Sequence, residues 1–231
     1  MIEVKDLSFS YGRKSLLKEI SFQVSSGECM VIAGPNGSGK STLLSLLTGA
    51  LKPKSGSIRS EGSIAILPQG TALFEDMSVE DNLRFFAGVC GVPVPETLPF
   101  GLERYRREKL STLSGGSKKR VSLACSLLGN PANLLLDEPI GGLDASYRSE
   151  LSSLIISLKQ SGHCLLYVGH DPLEYAAFVD RILFIGPDGA VIKEAAEIAD
   201  PDAGRPDPDR IAALYESLFS AAEQERNEVK E

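Results

Sequence analysis

The sequence predicts an α/β protein in which a parallel sheet is covered by helices on both faces, with an antiparallel β region ahead of it and a short helical insertion within it. Two observations carry the parallel sheet. Residues 133–186 alternate strand and helix patterns (NLLLD, ASYRSELSSLIISLKQSG, CLLYVGH, PLEYAAFV, RILFIG), and such units assemble when each helix crosses the sheet to begin the next parallel strand. Earlier, the apolar run CMVIAG breaks into PNGSGK and resumes as STLLSLLTGALK, which reads as strand, glycine-rich loop and helix. The antiparallel region rests on IEVKDLSFSY and SFQV within the first 24 residues, where apolar and polar positions alternate as in a strand with one buried face.

Each further element has a local cause. Leu43, Leu44, Leu46, Leu47 and Leu51 give the helix after the glycine-rich loop a wide apolar face, and Gly49 and Pro53 bracket its end. GSIRSEGSIAIL adds two short strands separated by glycine and charge. Residues 78–128 read as mostly helical: Ser78 is an N-cap with Asp81 three residues on, GVCGVPVPETLPFG interrupts, and a basic helix opens at Ser114. After RILFIG, the turn-rich ADPDAGRPDPD leads to a C-terminal helix, IAALYESLFSAAEQERNEV.

Composition narrows the function. The 231 residues are 42% hydrophobic and 24% charged, as in globular proteins rather than disordered or fibrous ones. A net charge of −7 argues against nucleic acid as the partner, because such domains carry a basic face that neutralises phosphates. Cys29, Cys90, Cys125 and Cys164 form no C-x-x-C pair, so the expectation is buried, reduced thiols rather than a zinc site. No run approaches the roughly 18 apolar residues of a membrane span, and the N-terminus lacks the pattern of a signal peptide. Any action at a membrane therefore calls for a second, spanning polypeptide.

The chemistry concentrates at two places. Gly34, Pro35, Asn36, Gly37, Ser38, Gly39, Lys40 and Ser41 fit G-x-x-x-x-G-K-[ST] in full, in the strand-to-helix context that gives this motif its meaning. Glycines let backbone N–H groups converge on an anion, and the helix that Thr42 continues adds its positive end. Lys40 supplies a full charge for β- and γ-phosphates, and the Ser41 hydroxyl is placed to ligate Mg²⁺. The second place is NLLLDEP. A strand buried on both faces carries carboxylates only where it emerges, so Asp137 and Glu138 are expected at the carboxyl edge of the sheet. Adjacent side chains diverge, which suits Asp137 to the Mg²⁺ shell and Glu138 to polarising an attacking water.

With these residues placed, LSGGS, from Leu113 to Ser117, resembles the signature motif of the ATP-binding cassette (ABC) ATPases, and it precedes NLLLDEP in the family's order. The resemblance covers about residues 1–195, with a helical subdomain near 72–130 and a linker and helix over 196–231. It implies a RecA-like P-loop core, ATP and Mg²⁺ as ligands, and ATP hydrolysis coupled to transport. It also implies a head-to-tail dimer with a second ABC subunit, in which Ser114, Gly115 and Gly116 meet the γ-phosphate held by the other protomer. Exposed N–H groups at a capped helix start suit that task. Tyr11 in SYG corresponds to the aromatic that stacks on adenine, Gln69 in LPQG to the Mg²⁺-sensing Q-loop, Asp144 in GGLDA to the D-loop, and His170 in VGHD to the switch histidine. Ser117 departs from the usual Gln, and Ile140 and Gly141 depart from the usual Thr and Ser; these changes spare the phosphate ligands and bear on hydrogen bonds between protomers.

The resemblance further implies a stand-alone subunit, cytoplasmic and peripheral on the inner face of the cell membrane, docked on a separate transmembrane permease subunit. Leu73, Phe74, Met77 and the helix bearing Leu83, Phe85 and Phe86 are the expected docking groove. The alternative within the family is a soluble ABC-type ATPase acting as a switch or scaffold in a non-transport complex. A kinase or GTPase is disfavoured by the ordered motif set and by the lack of a guanine-reading NKxD.

Overall fold

The computed structural model describes residues 1–141, 145–186, 189–201 and 204–228. β1 (Ile2–Tyr11) and β2 (Lys14–Val24) form a hairpin closed by Gly12 and Arg13, with Tyr11 opposite Lys14. Gly12 sits at φ 58°, the left-handed conformation that a two-residue hairpin turn demands. β2 begins seven residues before the expected SFQV. Its buried positions Leu17, Ile20, Phe22 and Val24 break strict alternation because register shifts occur opposite Leu7 and Phe9, and Glu19 takes φ 47°. A bulge of this kind resets the face that a strand presents, so period two is visible only after it.

β3 (Cys29–Ala33) leads through the glycine-rich loop to α1 (Lys40–Leu47). The helix stops at Leu47, shorter than expected, because Thr48 caps it and Gly49 turns left-handed at φ 76°; Leu51 lies beyond it and still packs on the same core. The two short strands diverge. β4 (Ser55–Ser60) joins the hairpin in the order β2-β1-β4, whereas β5 (Ile64–Leu67) enters the main sheet.

The insertion holds α2 (Val79–Cys90) and α3 (Gly115–Ser126). Its helical content is lower than expected, since only short 3-10 turns at Pro99–Tyr105 and Leu110–Thr112 lie between them. Ser78 caps α2 as predicted, accepting from the Asp81 N–H at 3.0 Å. Val79, Leu83, Leu102, Leu110 and Val121 form a core of the insertion's own. Cys90, the last residue of α2, is exposed, so the expectation of four buried thiols holds for Cys29, Cys125 and Cys164 alone.

The remaining elements are β6 (Asn133–Asp137), α4 (Ala145–Gln160), β7 (Cys164–Val168), α5 (Pro172–Tyr175), β8 (Arg181–Gly186), β9 (Gly189–Glu194) and α6 (Pro208–Glu228). They complete a six-stranded sheet in the order β5-β6-β7-β3-β8-β9, parallel except for β9. α5 is a single turn where PLEYAAFV suggested a longer helix, and β9 was not anticipated. Every residue of β3, β6 and β7 is buried. Alternate side chains serve the two faces: Val31, Leu136, Leu165 and Tyr167 pack toward α4 and α6, while Met30, Ile32, Leu135 and Leu166 pack toward α1 and the antiparallel sheet.

The C-terminal helix belongs to this core. Phe219 is 4% exposed, and its ring lies 6.1 Å from Phe184 on β8 and 4.9 Å from Tyr215. Phe219→Ala is expected to lower unfolding free energy by about 3 kcal/mol, read as a lower urea midpoint at unchanged slope. An unchanged midpoint would place α6 outside the cooperative unit.

Candidate functional site

The loop between β3 and α1 is shaped by steric exclusion. A Cβ at Gly34, where φ is 154°, would lie 2.3 Å from the Ile185 carbonyl oxygen and 2.9 Å from Ser38 Oγ. Only glycine permits so close a passage beside β8. Lys40 opens α1 and is 6% exposed, with Nζ donating to the carbonyls of Gly34 at 2.8 Å and Pro35 at 3.2 Å. Burial pushes its pKa down, and Glu138 and Asp137 oppose that shift by favouring the charged amine. The lysine is thus desolvated and held against two carbonyls of its own glycine-rich loop.

Asp137 ends β6 and is 7% exposed. Burial raises its pKa, while the hydrogen bond from Ser41 and the charges of Lys40 and Lys119 lower it. Its Oδ1 has no hydrogen-bond partner among the described residues, nor does Ser38 Oγ. A buried carboxylate with one unpartnered oxygen and the Ser41 hydroxyl bonded to it can supply oxygen ligands to a hard cation.

At Glu138 the chain leaves the sheet. Its N–H donates to the Val168 carbonyl at 3.0 Å, and its φ is 46°, a left-handed conformation costly for a residue with a side chain. This turn lifts the carboxylate above the sheet edge. Oε2 accepts from Gln69 Nε2 at 2.7 Å, and Oε1 lies 2.8 Å from His170 Nε2. Gln69 follows β5, Glu138 follows β6 and His170 follows β7, so three adjacent parallel strands deliver the three side chains to one point.

Gln69 and Glu138 border a cleft of about 420 Å³ whose lining also includes Tyr11, Lys14, Asn36 and Lys40, while His170 and Asp137 do not line it. Tyr11 is 57% exposed and stands edge-on to Phe9, with centroids 5.0 Å apart. Gly37, Gly39, Ser41 and Thr42 also line the cleft, as does Leu16. Lys14 and Leu16 escaped the sequence reading because the first half of β2 did. Ser114, Gly115 and Gly116 do not line this cleft. Ser114 caps α3, accepting from the Ser117 N–H at 3.3 Å and donating to Ser117 Oγ at 3.1 Å. Ile140 is buried in the main core, the Gly141 N–H donates to the Glu138 carbonyl at 3.4 Å, and Asp144 lies outside the described residues.

The family model described as ABC transporter matches residues 17–141, which span the glycine-rich loop, Gln69, Ser114 and the acidic strand. The chain belongs to the ABC transporter family. Among curated relatives, the taurine import ATP-binding protein TauB of Escherichia coli O157:H7 is 33% identical over 204 residues, covering 81% of this chain and 80% of its own. The linearmycin resistance ATP-binding protein LnrL of Bacillus subtilis (strain 168) is 30% identical over 202 residues, 79% of this chain and 65% of its own length. A solved ATP-binding subunit of an ABC transporter superposes with a TM-score of 0.81 at 26% identity, covering 94% of this chain and 99% of that one.

In this ATP-binding subunit of an ABC transporter, burial pushes the Lys40 ammonium toward its neutral form against the attraction of Glu138 and Asp137. Lys40→Ala removes the cation and is expected to weaken mant-ATP binding at least about 100-fold, on the scale of a lost charge-assisted phosphate contact. The circular dichroism spectrum is expected to stay that of the wild type. Wild-type affinity would contradict the placement of the phosphates on this loop.

Proposed function

We propose that this ABC ATPase binds ATP across two copies of the cassette, its own or a second kind, arranged head to tail, and hydrolyses it at Glu138. The ATP-binding cassette MJ0796, of like fold, is dimeric in its structure with ADP and Pi, and the separation of Ser114 from the cleft supports the head-to-tail reading. The observation that carries the catalytic assignment is Glu138 held between Gln69 and His170 beside the Lys40 loop.

In this reading Tyr11 stacks on adenine, a contact that uses the π-face. Lys40 exchanges two carbonyl acceptors for β- and γ-phosphate oxygens. The N–H groups of Asn36 through Thr42 surround the triphosphate. Ser41, Asp137 and Gln69 would hold Mg²⁺, and the unpartnered Asp137 Oδ1 fits that role. Bound there, the ion neutralises charge on the phosphate oxygens. Glu138 accepts a proton from water as its oxygen attacks the γ-phosphorus. The bond to the bridging oxygen breaks, and ADP and phosphate form. His170 orients the carboxylate and reaches the γ-phosphate. Ser114, Gly115 and Gly116 of the facing protomer complete the phosphate shell.

Among the described residues no helix is long and apolar enough to cross a membrane, and an exposed aromatic patch beside the Q-loop supports docking on a permease at the cytoplasmic face. Phe74, Met77 and Phe85 are 41%, 43% and 47% exposed, and the Phe74 and Phe85 rings meet edge to face at 4.8 Å. Buried Asn82 fixes the patch through bonds to the N–H and carbonyl of Phe74. Leu83 faces inward at 1% exposure and drops out of the expected groove.

Glu138→Gln tests the chemistry. It is expected to lower ATP turnover by about 10²–10⁴-fold while leaving ATP binding intact, and to trap an ATP-dependent dimer visible by light scattering. Adding Ser114→Arg is expected to disperse that dimer. Wild-type turnover in the assembled complex would remove Glu138 from its role. For docking, Phe85→Glu is expected to spare mant-ATP affinity and reduce recovery of the permease on a tagged subunit; full recovery would move the docking surface elsewhere.

A further inference from the structure

The basic run of α3 is a feature that phosphate chemistry leaves unused. Lys118, Lys119 and Arg120 follow the Ser114 cap within two turns, yet they reach three different segments. Lys118 Nζ pairs with Glu75 at 2.9 Å, and Arg120 Nε pairs with Glu150 on α4 at 3.0 Å. The Arg120 guanidinium also stands 5.1 Å from the centroid of the Tyr147 ring. Lys119 differs in its acceptors: its Nζ donates to the backbone carbonyls of Pro68, at 3.1 Å, and Gln69, at 2.5 Å.

Those two carbonyls belong to the segment that carries the Gln69 amide to Glu138. A continuous path of hydrogen bonds therefore runs from α3 through Lys119 to the Gln69 backbone, through the Gln69 side chain to Glu138 at 2.7 Å, and on to His170 at 2.8 Å. α3 is also the helix whose capped start is offered to the facing nucleotide. We propose that Lys119 is a positioning residue: it clamps Pro68 and Gln69 to α3, so that the placement of this helix sets the placement of Gln69 against Glu138. The proposal rests on the reading of Glu138 as the base and of Gln69 as its partner.

The structure favours a strut over a simple surface charge. Lys119 is half-buried. A desolvated ammonium needs its acceptors, and two adjacent carbonyls restrict it to one geometry. A shift of α3 therefore carries the Q-loop with it. Positioning errors of about 1 Å cost turnover by up to about 100-fold, which is the size of effect to look for.

The test uses the full chain assembled with its permease, with ATPase kinetics and mant-ATP affinity measured for Lys119→Met, Lys119→Arg, Gln69→Ala and the Lys119→Met/Gln69→Ala pair. Lys119→Met is expected to lower kcat about 10- to 100-fold with KM and mant-ATP affinity within about twofold of wild type. Lys119→Arg, which keeps the charge and the donors, is expected to recover most of the loss. The double variant is expected to be no slower than Gln69→Ala alone, because the lysine acts through the glutamine. Additive losses, a matching fall in nucleotide affinity or wild-type kcat in Lys119→Met would each overturn the proposal. Wild-type kcat in Gln69→Ala would overturn the role of Gln69 and the strut together, whereas wild-type kcat in Glu138→Gln marks failure of the underlying catalytic reading.

Discussion

The structure depends on the burial of three central strands on both faces. β3, β6 and β7 present no exposed residue, so any charge they carry must sit where the chain emerges, at the carboxyl edge. Lys40 and Asp137 meet there at 6% and 7% exposure. Burial shifts each toward its neutral form, and each favours the charged form of the other. Ionic groups in so dry a place persist only with partners. The Gly34 and Pro35 carbonyls and the Ser41 hydroxyl supply part of that compensation, and an anionic triphosphate with its cation would supply the rest.

Strand order turns this constraint into a cluster of three hydrogen-bonded side chains. β5, β6 and β7 are neighbours, so the residues that follow them emerge side by side. Glu138 reaches its partners because its backbone takes a left-handed turn directly after Asp137. That conformation costs about 1–2 kcal/mol for a residue with a Cβ, and hydrogen bonds to Gln69, Val168 and His170 hold it in place. Asp137 thereby stays inside the sheet edge beside Ser41, and Glu138 stands above it.

The inserted helices have a core of their own, and their start and their basic run face different ways. Ser114 caps the exposed end of α3, while Lys119 ties the helix back to the segment behind Gln69. The aromatic patch of Phe74 and Phe85 lies just beyond that segment. One short stretch of chain therefore links the exposed aromatic patch, the capped start of α3 and the Glu138 carboxylate.

The sequence by itself determined the fold class, the glycine-rich loop and the acidic strand end, because these depend on local spacing: glycines where a backbone must turn, carboxylates where an apolar strand stops, an N-cap ahead of a helix. Gln69 and His170 stood out only through the resemblance to the family's motif order. What stayed hidden depended on contacts between distant segments. The bulge opposite Leu7 and Phe9 masked the first half of β2 and with it Lys14 and Leu16. β9 exists because β8 offers it an edge, and α5 stops after one turn. The bonds from Gln69 and His170 to Glu138, and from Lys119 to the Q-loop, join residues 69, 32 and 50 positions apart. No periodicity within a single segment encodes such pairs; strand order and the packing of α3 on the sheet decide them.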